Sequence, residues 1–297
     1  MQKVSIVGGG ASGIFLALLL SREGFKVRVF EKDDRPLKKL MATGNGRCNF
    51  TNQNLSLDFY RGEDKKLLAQ VLKDFDNEDA RRFFRDLGML DTSLESGRVY
   101  PYTMAGITVN NLLLNNLGSQ VELLSEREIV AIEKTKKGYS LKDNLGQVHS
   151  SDIVVLATGG LRTIRKNDYS KGHDLAKSLG HKKTELFPGI VQLRLEEAEE
   201  AKRMKNLKFN SKVSLYAGGK LIEAYEGDTL FADYGLSGLA ILQLSNEVLY
   251  RLKKEEVILS LDLLPQLEEE DLRVFLEEKR QTDLTLLASL EGLVQEK

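Results

Sequence analysis

Gly8, Gly10 and Gly13 stand in the spacing G-x-G-x-x-G, and their neighbours decide what chemistry that spacing serves. Val4, Ser5, Ile6 and Val7 run straight into the glycines, as a buried parallel strand does where it ends in a tight turn. The first glycine permits the turn, the second lets backbone approach a pyrophosphate, and the third lets helix pack on strand. With Ala11 and Ser12 between them, the backbone N–H groups of this turn face phosphate oxygens. Residues 14–21 read IFLALLLS, too apolar for a surface helix, and Gly24 closes that helix. Lys26, Val27, Arg28, Val29 and Phe30 then alternate as a second strand, with Glu31 at its carboxyl end to accept hydrogen bonds from ribose hydroxyls. Glu31 disfavours a 2′-phosphate by repulsion, an argument that the basic Lys32 and Arg35 soften. This is a βαβ dinucleotide-binding unit, and alone it leaves NAD and FAD both open.

The next stretch favours FAD. Lys38 and Lys39 lead into Gly44, Asn45, Gly46, Arg47, Cys48 and Asn49, a loop of glycines, amides and cations suited to a diphosphate and a polyhydroxylated chain. An NAD dehydrogenase would continue its strand and helix alternation here. Lys32, Lys39 and Arg47 read as cofactor-side charges, and Gly44, Gly46 and Asn49 as points of close backbone approach. Cys48 reads as a packed cysteine beside the cofactor, because CxxC is absent. Further on, residues 152–156 form a second apolar strand that ends in Ala157, Thr158, Gly159 and Gly160.

GNGRCN-x-TN following GGGASG and a strand-terminal glutamate resembles the bacterial NAD(P)/FAD-dependent oxidoreductases of the YhiN/BaiN type, the aminoacetone-oxidase-like flavoproteins. GRVYP at 97–101, ATGG at 157–160 and LFADYGLSG at 230–238 extend the resemblance over nearly the whole chain. It implies a Rossmann-like, glutathione-reductase-like FAD-binding domain with an inserted β-rich and helical second domain. Ala157, Thr158 and Gly159 would then contact FAD, and the backbone of Val130 would read adenine. The implied activity passes a hydride between a small organic substrate and flavin, with NAD(P)H or oxygen as second partner. Two departures stand out. The late glycine-and-acid motif of the family has no counterpart in these 297 residues, so a C-terminally shortened member, lacking the closing strand of its FAD domain, is expected. Residues 161–171 also depart, and only Gly172 is retained of an aspartate-glycine pair. Two other readings follow: a non-catalytic nucleotide- or partner-binding module, and an NAD-dependent dehydrogenase.

The elements that position these residues are legible from periodicity. Residues 65–75 and 79–87 read as amphipathic helices, the second after the capping candidates Asp76 and Asn77, and 104–117 as a third. Residues 126–135, 138–142 and 147–149 alternate as a meander. An FAD-binding domain is expected over 1–189 and the inserted domain over 190–297, with strands in 190–262 and helices in 263–297. Ser237 is expected to cap an apolar helix, Tyr234 to be open to a substrate cleft, and His173 to lie in a loop without an acid-base partner. A net charge of −1 (43 Lys+Arg against 44 Asp+Glu) argues against nucleic acid as partner. One cysteine and three scattered histidines exclude an intrachain disulfide and a metal site. The opening MQKVSIVGGG is unlike a signal peptide and no apolar run reaches spanning length, so a cytoplasmic chain without a membrane partner is expected.

Overall fold

The computed structural model describes residues 2–42, 46–60, 64–160, 171–196, 198–282 and 284–293. Two compact units divide between Lys183 and Thr184, against an expected boundary after residue 189. Gly44 and residues 161–170 lie outside the described residues.

In the first unit β1 (Lys3–Val7), α1 (Ala11–Arg22) and β2 (Lys26–Phe30) follow the expected order. β1 and β2 pair in parallel from Lys3↔Lys26 to Val7↔Phe30. Strand Ile153–Leu156 adds in parallel on the far side of β1, and Val121–Leu124 on the far side of β2. This four-stranded parallel sheet is the Rossmann-like core.

Period-two alternation assigns its faces. Val4, Ile6, Val27 and Val29 point to α1, whose Ile14, Ala17 and Leu18 pack there with Phe83, Phe84, Val109 and Leu113 from the helices Asn77–Asp86 and Gly106–Asn115. Val7 and Phe30 point the other way, onto Ile132 and Leu141 of the antiparallel meander Ile129–Thr135, Gly138–Asp143, Val148–Ser151. α1 ends where Gly24 takes φ +81, the left-handed step that stops a helix. Helix Asn77–Asp86 begins with a capping box, Asp76 accepting from Asp79 N while Asp79 accepts from Asp76 N.

The second unit carries a five-stranded antiparallel sheet. Its long hairpin, Lys208–Ala217 with Lys220–Ala232, turns through Gly218 and Gly219, both at positive φ as a two-residue turn of this hand requires. Helix Leu239–Arg251 lays Ala240, Ile241, Leu244 and Val248 on Val213, Leu215, Phe231 and Leu236. Helices Ala198–Arg203 and Leu239–Arg251 thus lie among these strands, and Glu269–Arg280 and Leu286–Leu290 follow them. No described helix is long and apolar enough to cross a membrane.

Leu18 is fully buried between α1 and the sheet. Leu18→Ala is expected to cost about 2–5 kcal/mol in urea unfolding, whereas Leu67→Ala, at an exposed position of helix Lys65–Asp74, should stay within about 0.5 kcal/mol.

Candidate dinucleotide site

The glycine turn is built from backbone pressed on backbone. Gly8 has φ +112, and a Cβ on it would lie 2.4 Å from Ala157 O. A Cβ on Gly13 would lie 2.0 Å from Gly8 O, so α1 touches the turn below it. Gly10, by contrast, has open space where its Cβ would be. Gly10 is also the N-cap of α1 and makes no side-chain cap bond, while Ala11 and Ser12 are exposed. The first amides of a 12-residue helix are therefore presented beside a glycine, with the positive end of the helix dipole behind them.

Glu31 is buried, and both of its carboxylate oxygens are held by backbone: Oε2 accepts from Gly9 N at 2.7 Å and Oε1 from Asp33 N at 2.9 Å. A carboxylate has lone pairs for about four bonds, so each oxygen keeps capacity for a ligand hydroxyl. The main chain of Glu31 donates to Leu124 O and accepts from Arg127 N, both at 2.8 Å. Three residues past Arg127, Val130 sits at an irregularity of the meander: Ile129 pairs with Asp143 and Ala131 with Lys142, leaving Val130 without a partner in the register and half open to solvent.

Beyond Glu31 the chain returns to the turn. Leu37 N donates to Gly9 O at 2.9 Å, and Leu37 adopts φ +61, a left-handed conformation uncommon outside glycine, with its side chain fully buried. It opens the short helix α2 (Lys38–Ala42). Asp34 is held below the usual carboxylate range by its bond to Lys38. From α2, Lys39 carries its Nζ to 3.4 Å from the place a Cβ on Gly159 would occupy. Ala157 N donates to Val7 O at 2.8 Å, and a Cβ on Gly172 would lie 1.8 Å from Thr158 Oγ1. Gly8, Gly10, Ala11, Ser12, Gly13, Glu31, Lys39, Ala157, Thr158 and Gly159 are thus gathered at the carboxyl ends of β1, β2 and Ile153–Leu156.

Gly46, Arg47, Cys48 and Asn49 have other surroundings. Arg47 bridges to Ala105, and a Cβ on Gly106 would lie 3.3 Å from Gly46 O, so this stretch runs against the start of helix Gly106–Asn115. Asn49 turns its amide to donate to Val99 O and Thr51 O. Cys48 is buried in the cluster that holds Ile14 and Leu18, and burial pushes its thiol pKa up. Lys32 is half-buried next to Glu31.

Two expectations are corrected. Ser237 does not cap the helix: strand Gly235–Ser237 continues through it, and the N-cap falls on Gly238, whose φ of +101 and approach to Asp228 O leave no room for a side chain. His173 stands in the first turn of helix Gly172–Ser178 and not in a loop. The Tyr234 hydroxyl donates to the Gln192 side chain. Sequence reasoning missed Gly9, where a Cβ would meet Glu31 Oε2 at 2.9 Å, and Leu37. The run of three glycines was a signal for the first; nothing in the sequence marked the second.

The meander is tied together below the site by Asp143. Its Oδ1 accepts from Leu145 N and Gln147 N at 3.0 and 2.8 Å, and its Oδ2 meets His149 Nε2 at 3.0 Å. The adjoining Asn144 accepts from Glu128 N with its side chain at 3.1 Å. The His149 bond, aided by those amides, holds the Asp143 carboxyl below its ordinary range.

The family described as the HI0933-like protein Rossmann domain matches residues 2–250. The chain belongs to that family. It is the flavoprotein group of the BaiN/YhiN type that the motifs resemble. Among curated relatives, a 3-dehydro-bile acid delta(4,6)-reductase of Clostridium scindens is 32% identical over 92% of this chain and 67% of its own length. A ribosomal RNA dihydrouridine synthase of Escherichia coli is 27% identical over 93% of this chain and 66% of its own. The chain therefore spans about two thirds of the length of either relative. The solved thioredoxin reductase of Lactococcus lactis is 14% identical, covering 57% of this chain and 38% of that one, at a TM-score of 0.33. Within the HI0933-like chain the donor set fits the ADP half of a dinucleotide: an open glycine and uncapped amides suit a pyrophosphate, and a buried carboxylate with spare lone pairs suits a ribose.

Two measurements follow. A carboxyl with a depressed folded pKa stabilises the fold above its unfolded pKa and loses that contribution as pH falls through the folded value. Asp143→Asn is therefore expected to lower the melting temperature at pH 7, with the gap to wild type narrowing below about pH 4; a gap constant from pH 7 to pH 3 would contradict it. Cys48 should be alkylated slowly by iodoacetamide at pH 7 in the folded chain and rapidly in urea, and equal rates would show an accessible thiolate.

Proposed function

We propose that this chain is the FAD-binding part of a flavin-dependent reductase that adds two hydrogens to a carbon–carbon double bond conjugated to a carbonyl in a small organic substrate. NAD(P)H supplies the reducing equivalents in this reading, in the cytoplasm. The observation that carries it is the Glu31 carboxylate, pinned by Gly9 N and Asp33 N beside the open Gly10 at the start of α1.

Gly8, Gly10, Ala11, Ser12 and Gly13 would take the pyrophosphate through backbone N–H groups, and Glu31 the adenosine ribose. Val130 would offer its backbone to adenine from the meander irregularity. Lys32 and Lys39 would supply positive charge, and Ala157, Thr158 and Gly159 would close over the dinucleotide from the neighbouring strand. Gly44, Gly46, Arg47, Cys48 and Asn49 would serve the diphosphate and polyhydroxylated chain of the cofactor, with Arg47 as a diphosphate-side charge and Cys48 packed beside the flavin. Bound flavin supplies the hydride chemistry, and the protein supplies position and exclusion of water.

The reaction class rests on what the relatives' names have in common. A delta(4,6)-reductase of a 3-dehydro compound and a dihydrouridine synthase both saturate a double bond in conjugation with a carbonyl. A hydride adds to the far carbon of such a system because the carbonyl draws off the charge. The small substrate is preferred here because the 32% relative acts on a bile acid; the RNA synthases favour a uridine in RNA as the second reading.

Purified chain is expected to take up FAD to near one equivalent, and Glu31→Gln should weaken that uptake by about tenfold or more, as loss of a charged hydrogen-bond partner does. Anaerobic assay with NADPH or NADH then compares a 3-oxo-Δ4 bile acid with a uridine-containing RNA. Flavin bound without turnover of either would support a binding module, and thermal stabilisation by NAD without FAD uptake would support a dehydrogenase.

A further inference from the structure

Lys177, Lys182 and Lys183 line one cavity of about 440 Å3 together with His173, His181 and Asp174. The volume lies in the range of small-ligand pockets. With neutral histidines the lining carries an excess of two positive charges, in a chain whose net charge is −1. Helix Gly172–Ser178 supplies one wall, where His173 and Lys177 are four apart and share a face. The other wall exists because the chain doubles back at Gly180, φ +93: Gly180 N bonds Lys177 O at 3.0 Å and His181 N bonds Ala176 O at 3.2 Å. That reversal carries His181, Lys182 and Lys183 back onto the helix. Among the described residues no carboxylate lies within ion-pair distance of the three lysines. His173 Nδ1 is buried and has no hydrogen-bond partner there.

We propose that this cavity binds the phosphate of a nucleotide-sized small molecule, at a place that shares no residue with the glycine turn or Glu31. Three lysines line one concavity, none of them with an ion-pair partner among the described residues, and a multiply charged phosphate is a ligand that would neutralise them. The single carboxylate, Asp174, opposes a bare anion but accepts from a hydroxyl, which selects a phosphate ester of a sugar over free phosphate. His173 and His181 add ring donors and flat faces for a base. The lining is six residues of one helix and its reversal, and a volume of about 440 Å3 suits one nucleotide better than a run of RNA. The electron donor of the proposed reaction and a free nucleotide both carry this chemistry, and the site stands whether or not the glycine turn holds FAD.

Isothermal titration calorimetry on the full chain decides it, with NADPH, ADP and inorganic pyrophosphate each titrated into FAD-saturated and FAD-free protein. Binding is expected in both preparations, with NADPH or ADP tighter than pyrophosphate, and Lys177→Ala and Lys182→Ala should each weaken it by about tenfold. NADPH tighter than ADP identifies the electron donor as the source, and the reverse order a free nucleotide. Both lysines are exposed, so the variants should melt as wild type does; Lys183→Glu, which repels the ligand without removing bulk, repeats the test independently. Binding unchanged in all three variants, or no binding at all, overturns the proposal, and so does lysine-dependent binding of an RNA oligonucleotide alone. If the protein takes up no FAD, the flavin reading fails while the FAD-free titration still decides this pocket, since whatever survives in the lysine variants belongs to the glycine turn.

Discussion

The first unit depends on how closely three backbones approach at the end of β1. Gly13 lies on the carbonyl of Gly8, Gly8 lies on the carbonyl of Ala157, and Gly9 lies on the carboxylate of Glu31. A methyl group at any of these points would fall within 3 Å of another atom, so the strand ends, the helix start and the acidic residue share one place only because no side chain intervenes. What remains beside that knot is Gly10 with open space and a helix N-terminus without a cap. The packing constraint and the candidate ligand site are consequently the same few residues.

The rest of the unit keeps that knot in place from both sides of the sheet. α1 and the helices Asn77–Asp86 and Gly106–Asn115 fill one face with aliphatic and phenyl side chains, including Phe15 against Phe83 at 4.4 Å. The other face is covered by the meander, whose polar centre is a buried aspartate satisfied by two amides and an imidazole. A buried carboxylate without those bonds would cost several kcal/mol, and with them it orders the turn at 144–147, from which the Asn144 side chain accepts from Glu128 N, next to the Arg127 amide that donates to Glu31 O. Arg28 extends the same group outward, reaching Glu122 at 2.6 Å on the next strand. The second unit is built on its own core, with one helix across a twisted hairpin and a buried Ser211 to Thr229 hydrogen bond of 2.7 Å satisfying the polar atoms inside it.

Much of this was legible in the residues. The order strand, turn, apolar helix, strand, acid fixes β1, α1 and β2 because each signal is local: glycine relieves φ, a run of apolar residues seeks burial, and alternation gives a strand two faces. The caps at Asp76 and Gly24 are local in the same sense. The misreading of Ser237 shows the limit of such signals. Serine favours the cap, yet the left-handed backbone and the nearness of Asp228 gave that position to Gly238.

Position along the chain says nothing about which distant atoms meet. That Glu31 takes its hydrogen bond from Gly9, 22 residues away, that Gly172 makes room for Thr158, and that a leucine at 37 accepts a left-handed backbone to anchor the glycine turn all follow from the path of the folded chain. The three lysines at 177, 182 and 183 are by contrast a local matter, since the turn at Gly180 alone brings them to one cavity. Local propensity is a property of a few neighbouring dihedrals and can be read from residue types; convergence of remote groups is set by long-range packing, which exists only once the sheet has formed.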